Sequence, residues 1–262
     1  KNIPVIIGKW VEKVGWHKAM RVNVVCSALL AALIGPLARD VWSLGGLLVA
    51  GAIAYGISNP AANQALAQHT SPARAATVFG IKHAGIPSST LVAGLAVPAV
   101  VVHFGWRAAF FFAPLLAVVV WALIPRNLAV PQRDDEPVPQ RARLSSSDLR
   151  RLAIVAALGA MAAGALGTFL VTAAVESGLS EATAGWLQFA GSGASISARL
   201  LAGITVDRRG GVRLALFTLL AAGTGAFVVL PWVTGAWFVV LVLLAYATGW
   251  GWPGLMTATV VG

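Results

Sequence analysis

Eight apolar stretches, each long enough to cross a lipid bilayer, dominate this 262-residue chain. A hydrocarbon core about 30 Å thick needs about 20 mostly apolar residues in a helix. Hydrophobic residues make up 58% of the chain and charged residues only 11%, which is outside the usual range for a soluble domain. The sequence therefore predicts an all-α membrane protein with spans at residues 20–38, 43–66, 76–102, 107–125, 151–175, 182–204, 212–232 and 236–258.

The basic residues are distributed unevenly between the segments that connect these spans. Fifteen of the 19 lysines and arginines lie in four alternate segments or within two residues of them, whereas the opposite segments and their edges hold only Arg39 and Arg107. Cytoplasmic loops carry such an excess of positive charge. We therefore expect a multi-pass protein of the plasma membrane, the bacterial inner membrane, with cytoplasmic loops at 1–19, 67–75, 126–150 and 205–211. Because the basic residues follow this alternation of loops, the net charge of +10 does not indicate a nucleic-acid partner, and we expect none. We expect the protein to be a monomer in the lipid bilayer.

One pattern of glycines and charges occurs twice, 195 residues apart. A glycine is followed by an acid at four places, a base at five, a glycine at seven and a base at ten. The two copies are Gly8, Glu12, Lys13, Gly15 and Lys18, and Gly203, Asp207, Arg208, Gly210 and Arg213. Parallel repeats require an even number of spans between such loops, and six lie between these two. The sequence therefore predicts two related helical bundles, 1–125 and 151–262, joined by a charged cytoplasmic linker at 126–150.

These loops, GKWVEKVGWHK and GITVDRRGGVR, resemble the G-x-x-x-D-R-x-G-x-x-[RK] signature of the major facilitator superfamily. The resemblance covers essentially the whole chain, from the end of helix 2 through helix 10, and implies two six-helix bundles, in which the eight spans are helices 3 to 10. On this basis we expect the chain to be a fragment without helices 1, 2, 11 and 12. The resemblance also implies that Asp207 accepts hydrogen bonds from a neighbouring helix N-terminus and that the loop bases latch the outward-facing state. Glu12 departs from the usual aspartate. The alternative is that each pattern only shapes a tight loop.

Ionisable side chains inside a membrane are costly and tend to face a cavity. Apart from arginines at the first or second residue of a span, only Lys82, His83 and Arg199 lie within spans, while all nine acids lie in loops or at span edges. This distribution favours an anionic or polar solute over a cationic one. In relatives that resemble monocarboxylate transporters, an arginine at the place of Arg199 engages the substrate carboxylate, paired with an acid where this chain has Ser195. Alternatively, Arg199 snorkels to the cytoplasmic interface.

Other polar residues within the spans are further candidates for contact with the solute. They are Tyr55, Asn59, Gln188 and Tyr246, which join Arg199 as substrate-binding candidates. Because histidine titrates near neutral pH, His83 and its neighbour Lys82 are candidates for carrying a coupling proton. A hydrogen-bonded interfacial role is the alternative for the histidine.

The span that contains His83 also holds Gly80, Gly85 and Pro87. These residues resemble, with departures, the glycine and proline motif of helix 5 in the superfamily. Proline removes a backbone hydrogen bond and glycine permits close packing. We therefore expect this helix to bend and to pack closely on a neighbour.

Together these features predict a secondary active transporter of a small solute that works by alternating access and is coupled to a proton or another gradient. The alternative within the same fold is a proton-coupled drug or metabolite efflux antiporter. A membrane-embedded enzyme would need convergent catalytic groups at depth, and no span has them. No Walker-type loop is present in the sequence, and a permease subunit for a separate ATPase would not explain the duplicated loop. The single cysteine, Cys26, offers no metal-ligand spacing, so we expect no cofactor.

Overall fold

The computed structural model describes residues 3–125 and 145–261, which form helices joined by short turns. The helices are α1 (Ile3–Val14), α2 (Trp16–Leu37), α3 (Val41–His69), α4 (Ala75–Ala96), α5 (Val102–Phe104), α6 (Trp106–Phe110), α7 (Ala113–Leu123), α8 (Ser146–Glu176), α9 (Glu181–Arg209), α10 (Val212–Val229), α11 (Gly235–Gly249) and α12 (Pro253–Val261). No strand occurs within those two described ranges. The all-α prediction is confirmed.

Eight segments of the described chain are long and apolar enough to cross a membrane, as the sequence predicted. The span predicted at 212–232 is Val212–Trp232, and the span predicted at 236–258 is Gly235–Ala258. The largest difference is at the span predicted at 182–204, because α9 continues to Arg209. Hydropathy reports which residues prefer lipid, whereas a helix can extend beyond its apolar part.

The first copy of the repeated loop is mostly helical, because the end of helix 2, which the resemblance places at the start of the chain, continues into the residues predicted as loop. Residues Ile3–Val14 form α1, and the chain turns at Gly15, whose φ is 85°. The helix is stabilised by apolar contacts, because Val11 packs in a cluster with Trp16, Ala19 and Ala61. Charged residues on its other face therefore do not prevent helix formation.

The described helices fall into two packing units. The first packing unit comprises the described residues of Lys1–Thr70 and Val100–Gln132, and the second comprises those of Ser71–Ala99 and Arg133–Gly262. In the first unit α2 packs on α3 and α7, and α1 packs on α3. In the second unit α9 packs on α4, α8 and α11. The assignment of 1–125 and 151–262 to two related bundles concerns the repeat, and it stays a prediction.

The core of the second packing unit lies around α11. It contains Leu166, Leu170 and Ala174 from α8, Ala184 and Leu187 from α9, Ala226 from α10, and Phe238, Val242, Ala245, Tyr246 and Trp250 from the α11 region. Large apolar side chains on the outer faces of the same helices are exposed, such as Phe169, Leu214 and Trp237. This combination of an enclosed core and an exposed apolar surface is what lipid as a solvent requires.

The linker predicted at 126–150 lies mainly outside the described residues, which resume at position 145. Its last part is helical, because α8 already begins at Ser146. The side chain of Ser145 caps this helix by accepting a hydrogen bond from the Asp148 amide at 3.2 Å. Serine is a favoured residue at this position, and the cap explains why α8 begins before its apolar stretch.

Candidate functional site

Helix α9 carries a continuous buried polar face. Four polar side chains of the described chain are classed as buried, and all four belong to this helix: Gln188, Ser192, Ser195 and Arg199. Their spacings of four, three and four residues place them on one side of a helix. Buried polar groups are costly without hydrogen-bond partners, so their partners define the candidate site.

Gln188 and Tyr246, two of the predicted solute-binding residues, are in direct contact. The Tyr246 hydroxyl donates to Gln188 Oε1 at 2.6 Å, and Gln188 Nε2 donates to the carbonyl of Gly167 on α8 at 3.3 Å. Gly191 allows the tyrosine ring to approach α9, because a Cβ atom there would lie 2.8 Å from the ring. This hydrogen-bonded pair therefore connects α8, α9 and α11 at the position of Gln188.

The two buried serines differ in their partners. Ser192 Oγ lies 2.8 Å from the hydroxyl of Thr90 on α4, so the two hydroxyls share a hydrogen bond. Ser195 Oγ is buried without a hydrogen-bond partner among the described residues. A hydroxyl can both donate and accept, and Ser195 therefore offers an unused polar group one turn before Arg199.

Arg199 is buried, with only 3% of its surface exposed. Its Nε donates to the carbonyl of Trp250 at 2.8 Å, and its Nη1 donates to the carbonyl of His83 on α4. Its Cζ lies 6.0 Å from the centre of the Trp250 ring. A snorkelling arginine reaches the interface with its charged end, so this burial argues against that alternative.

No acidic side chain pairs with Arg199 in the part of the chain that the structure describes. The ion pair found within residues 3–125 and 145–261 joins Arg151 and Asp148 at 3.9 Å. The buried charge is instead solvated by two backbone carbonyls, one of them at the C-terminal end of α11. That end carries a partial negative charge, which stabilises a cation beside it.

His83 and Lys82 lie on α4 beside this arginine. His83 Nε2 is 3.0 Å from Thr257 Oγ1, and that hydroxyl lies 3.0 Å from the carbonyl of Pro253. If the threonine donates to the carbonyl, the histidine Nε2 carries a proton and donates to the threonine. The side chains of His83 and Lys82 are both half-buried. The imidazole is therefore held between α4 and α12.

Helices α4 and α9 run antiparallel in close contact along their whole length. A Cβ atom on Gly203 would lie 2.8 Å from the Ala76 carbonyl oxygen, and one on Gly185 would lie 2.8 Å from that of Gly94. Between these ends, a Cβ on Gly80 would lie 3.0 Å from the carbonyl oxygen of Arg199. Small residues allow helices in lipid to approach this closely. The close packing expected at Gly80 is present, whereas Gly85 faces open space and the bend stays a prediction.

Asp207 in the second loop joins α9 to the beginning of α4. Its Oδ1 accepts from the Ala76 amide at 3.0 Å and its Oδ2 accepts from the Thr77 amide at 2.8 Å. Arg74, at the N-cap of α4, provides no side-chain cap of its own. The first amides of a helix lack intrahelical acceptors. The carboxylate of Asp207 provides acceptors for two of these amides of α4, as the resemblance implies.

Other predicted residues do not join this cluster. Tyr55 and Asn59 are exposed on α3 in the first packing unit. In the two loop patterns, Glu12, Lys13, Lys18, Arg208 and Arg213 are also exposed. Their predicted roles in substrate binding and in the latch stay predictions.

Sequence reasoning missed Ser192, Thr90 and the Trp250 carbonyl. The signal for Ser192 was present, because the positions 188, 192, 195 and 199 follow a helical repeat. Thr90 and Trp250 give no such signal, since their role depends on which helices meet.

An open cavity of about 350 Å³ between α8 and α11 is mainly apolar, with Leu166, Phe169 and Phe238 in its wall, and none of the predicted residues lines it.

Comparison with protein families gives one match. The family model of the Major Facilitator Superfamily matches residues 3–261, a range that includes both loop copies and all eight spans. No curated protein matches this chain.

Proposed function

Since this chain belongs to the major facilitator superfamily and is a multi-pass membrane transporter, we propose that it moves a small anionic or polar solute by secondary active transport. In this mechanism two bundles alternate access to a site near the membrane midplane. The observation that carries the solute class is the buried polar face of α9, which ends at the cation of Arg199.

The charge balance inside the spans supports an anion. Arg199 is buried without a carboxylate partner among the described residues, and its guanidinium has donors beyond the two that contact carbonyls. Guanidinium groups bind carboxylates and phosphates through paired hydrogen bonds. Ser195 adds an unpartnered hydroxyl one turn away, where it can donate to an anion held by the arginine. A cationic solute would instead require a buried carboxylate.

Further polar contacts, N-terminal to Arg199, extend the proposed path along α9. Ser192 with Thr90, and Gln188 with Tyr246, present hydroxyl and amide groups at successive turns. Such groups exchange partners at low cost, because each can donate or accept. Tyr55 and Asn59 on α3 stay proposed contacts for the solute, by the repeat that relates Tyr55 to Tyr246.

For the driving force we propose a proton gradient, with His83 as the carrier and Lys82 beside it. The His83 imidazole is hydrogen-bonded to Thr257, and the His83 backbone carbonyl accepts a hydrogen bond from Arg199. A proton on His83 would place a second positive charge beside the arginine. Proton binding would then favour simultaneous binding of an anion, which corresponds to symport. An efflux antiporter of the same fold would show the opposite coupling.

Sidedness follows from the distribution of basic residues. We propose that the loop copies at 1–19 and 205–211, together with 67–75 and 126–150, face the cytoplasm of the bacterial inner membrane. Accessibility of single cysteines introduced at Lys13 and Arg208 to an impermeant thiol reagent tests this. Labelling from outside intact cells would contradict it.

Transport itself is tested in proteoliposomes that contain the intact protein. Uptake of panels of carboxylates, neutral sugars and organic cations is compared with and without an imposed pH gradient. We expect carboxylate or polar-solute uptake that increases when the compartment containing the solute is acidic. Uptake restricted to cations, or hydrolysis of a solute without its movement, would refute the proposal.

The role of Arg199 is tested by Arg199→Lys, with Arg209→Lys as the matched control. Arg209 belongs to the same helix but is exposed. Losing one bidentate contact to an anion costs about 1–3 kcal/mol, so we expect KM to rise about tenfold or more in Arg199→Lys only. Unchanged kinetics in Arg199→Lys would exclude Arg199 as the anion-binding group.

A further inference from the structure

We propose that Arg199 supplies the hydrogen-bond donor that Pro87 withholds from the backbone of α4, together with a donor for a carbonyl at the C-terminal end of α11, and that it thereby ties α4 and the break between α11 and α12 to α9. This inference goes beyond the proposed function, because it describes what Arg199 does without any solute. It rests on the two carbonyls that the guanidinium contacts, one four residues before Pro87 and one at the C-cap of α11.

The first carbonyl is that of His83. In an α-helix each carbonyl accepts from the amide four residues later, and the residue four places after His83 is Pro87. Proline has no N–H and leaves that carbonyl without its helical partner. Arg199 Nη1 donates to it. An unpaired carbonyl in the membrane interior is costly, so this contact replaces the missing bond.

The second carbonyl is that of Trp250, which follows the end of α11 at Gly249. The chain continues through Trp252 and begins α12 at Pro253, so α11 does not continue across this point. Carbonyls at a helix C-terminus need an external partner, and arginine is suited to this role. Arg199 Nε donates to Trp250 at 2.8 Å.

Close backbone contacts fix the three helices around the same guanidinium. A Cβ atom on Gly80 would lie 3.0 Å from the Arg199 carbonyl oxygen, and a Cβ on Gly254 would lie 2.8 Å from the Gly80 Cα. Segments from α4, α9 and α12 therefore meet within about one helical turn. A single planar side chain with several donors can satisfy both carbonyls there, which a lysine cannot do with the same geometry.

Pro98 provides a matched control on the continuation of the same helix. It lies in a π-helical turn, Val97–Val101, and removes the amide that an α-helix would offer to the carbonyl of Gly94. That carbonyl faces Gly185 of α9, with 2.8 Å between its oxygen and the position of a Cβ on Gly185. No arginine contacts it within the described residues. The effect of replacing Pro98 is therefore expected to be independent of Arg199.

The test measures the midpoint of thermal unfolding of the intact protein in detergent for Arg199→Met, Pro87→Ala, Pro98→Ala and the two double variants. Pro87→Ala restores an N–H for the His83 carbonyl. We expect it to raise the midpoint of the Arg199→Met protein by about 4 °C more than that of the protein with Arg199. Pro98→Ala should give the same shift in both backgrounds.

Equal shifts from Pro87→Ala in both backgrounds would overturn the proposal, as would an equally large coupling for Pro98→Ala. If Arg199→Met cannot be purified, Arg199→Leu replaces it, because leucine likewise has no side-chain donor. Absence of coupling there is equally decisive. The measurement needs no solute, so it is independent of whether anion uptake is observed.

Discussion

The first loop copy, residues 8–18, and the second, residues 203–213, contain the same turn in different surroundings. In both, the glycine at the seventh place has a positive φ, 85° at Gly15 and 72° at Gly210. In both, its amide donates to the carbonyl four residues earlier at 2.8 Å. This backbone region is accessible essentially only to glycine, so the repeat of this residue has a local cause.

The other shared residues differ between the copies. Gly203 lies against the backbone of α4, whereas a Cβ atom on Gly8 would meet nothing within 4 Å. Asp207 accepts from two amides of α4, whereas Glu12 is exposed and its carboxylate has no hydrogen bond or ion pair within the described residues. The comparison shows that one sequence pattern combines a local requirement with contacts that depend on a neighbouring helix.

The largest effect is expected from adding a methyl group at the first glycine of each loop. In Gly203→Ala the new Cβ would lie 2.8 Å from the Ala76 carbonyl oxygen and 2.9 Å from the Thr77 Cα. Backbone cannot move aside easily, and such overpacking costs about 1–3 kcal/mol. Gly8→Ala has free space and should gain up to about 1 kcal/mol of helix propensity.

Thermal unfolding of the two purified variants measures this difference directly. Opposite signs are expected, with Gly203→Ala less stable and Gly8→Ala unchanged or more stable than the parent. Destabilisation of similar size in both variants would show that the copies have equivalent packing and would remove the distinction.

A smaller effect is expected at the acids. Asp207→Asn loses the charge and one of two acceptor positions, which costs about 1–2 kcal/mol for hydrogen bonds from the positive end of a helix. Glu12→Gln changes an exposed side chain and should stay within about 0.5 kcal/mol. Amide hydrogen exchange at Ala76 and Thr77 provides the specific measurement, since both amides should exchange faster in Asp207→Asn only. Unchanged exchange would mean that Asp207 does not cap α4.

The smallest effect concerns Asp40, which caps α3 locally. It accepts from Trp42 at 2.9 Å and Ser43 at 2.8 Å, the same second and third helical amides that Asp207 contacts on α4. The Ser43 amide, then the Ser43 hydroxyl and the Trp42 amide, lower the pKa of the Asp40 carboxyl below its ordinary value. Its stabilising contribution is therefore complete above the ordinary aspartate pKa and disappears as pH falls through the lowered value.

We expect Asp40→Asn to reduce the acid dependence of the unfolding midpoint slightly below about pH 5. Glu12→Gln is the control and should leave this dependence as it is in the parent. An identical pH profile for Asp40→Asn and the parent would show that a local cap of this kind contributes nothing measurable to stability.

Much of the fold was predictable because lipid imposes a strong sequence requirement. Each span needs a long apolar run, so the eight spans were found to within a few residues at most ends. The continuation of α1 to Val14 was not predicted, since its stability depends on a cluster that brings Val11 together with Ala61, fifty residues away. The end of α9 at Arg209 was also missed, because charged residues remain helical outside the apolar part.

For the candidate site, sequence reasoning identified individual residues better than their partners. Gln188 and Tyr246 were both predicted, but the hydrogen bond between them was not. Arg199 was left between two roles, anion binding and snorkelling, and its contacts with the carbonyls of His83 and Trp250 were not considered. Backbone carbonyls have no sequence signature, so only the position of Pro87, four residues after His83, could have suggested one of them.

The sequence by itself determined the membrane spans, the charged loops and the repeated turn, because hydropathy and positive φ are properties of short segments. Only the tertiary structure decided that Asp207 caps a helix 131 residues away in sequence and that Arg199 satisfies carbonyls 51 and 116 residues away. Such contacts depend on which helices pack together. Two copies of one pattern can therefore share a turn and still differ in what they hold in place.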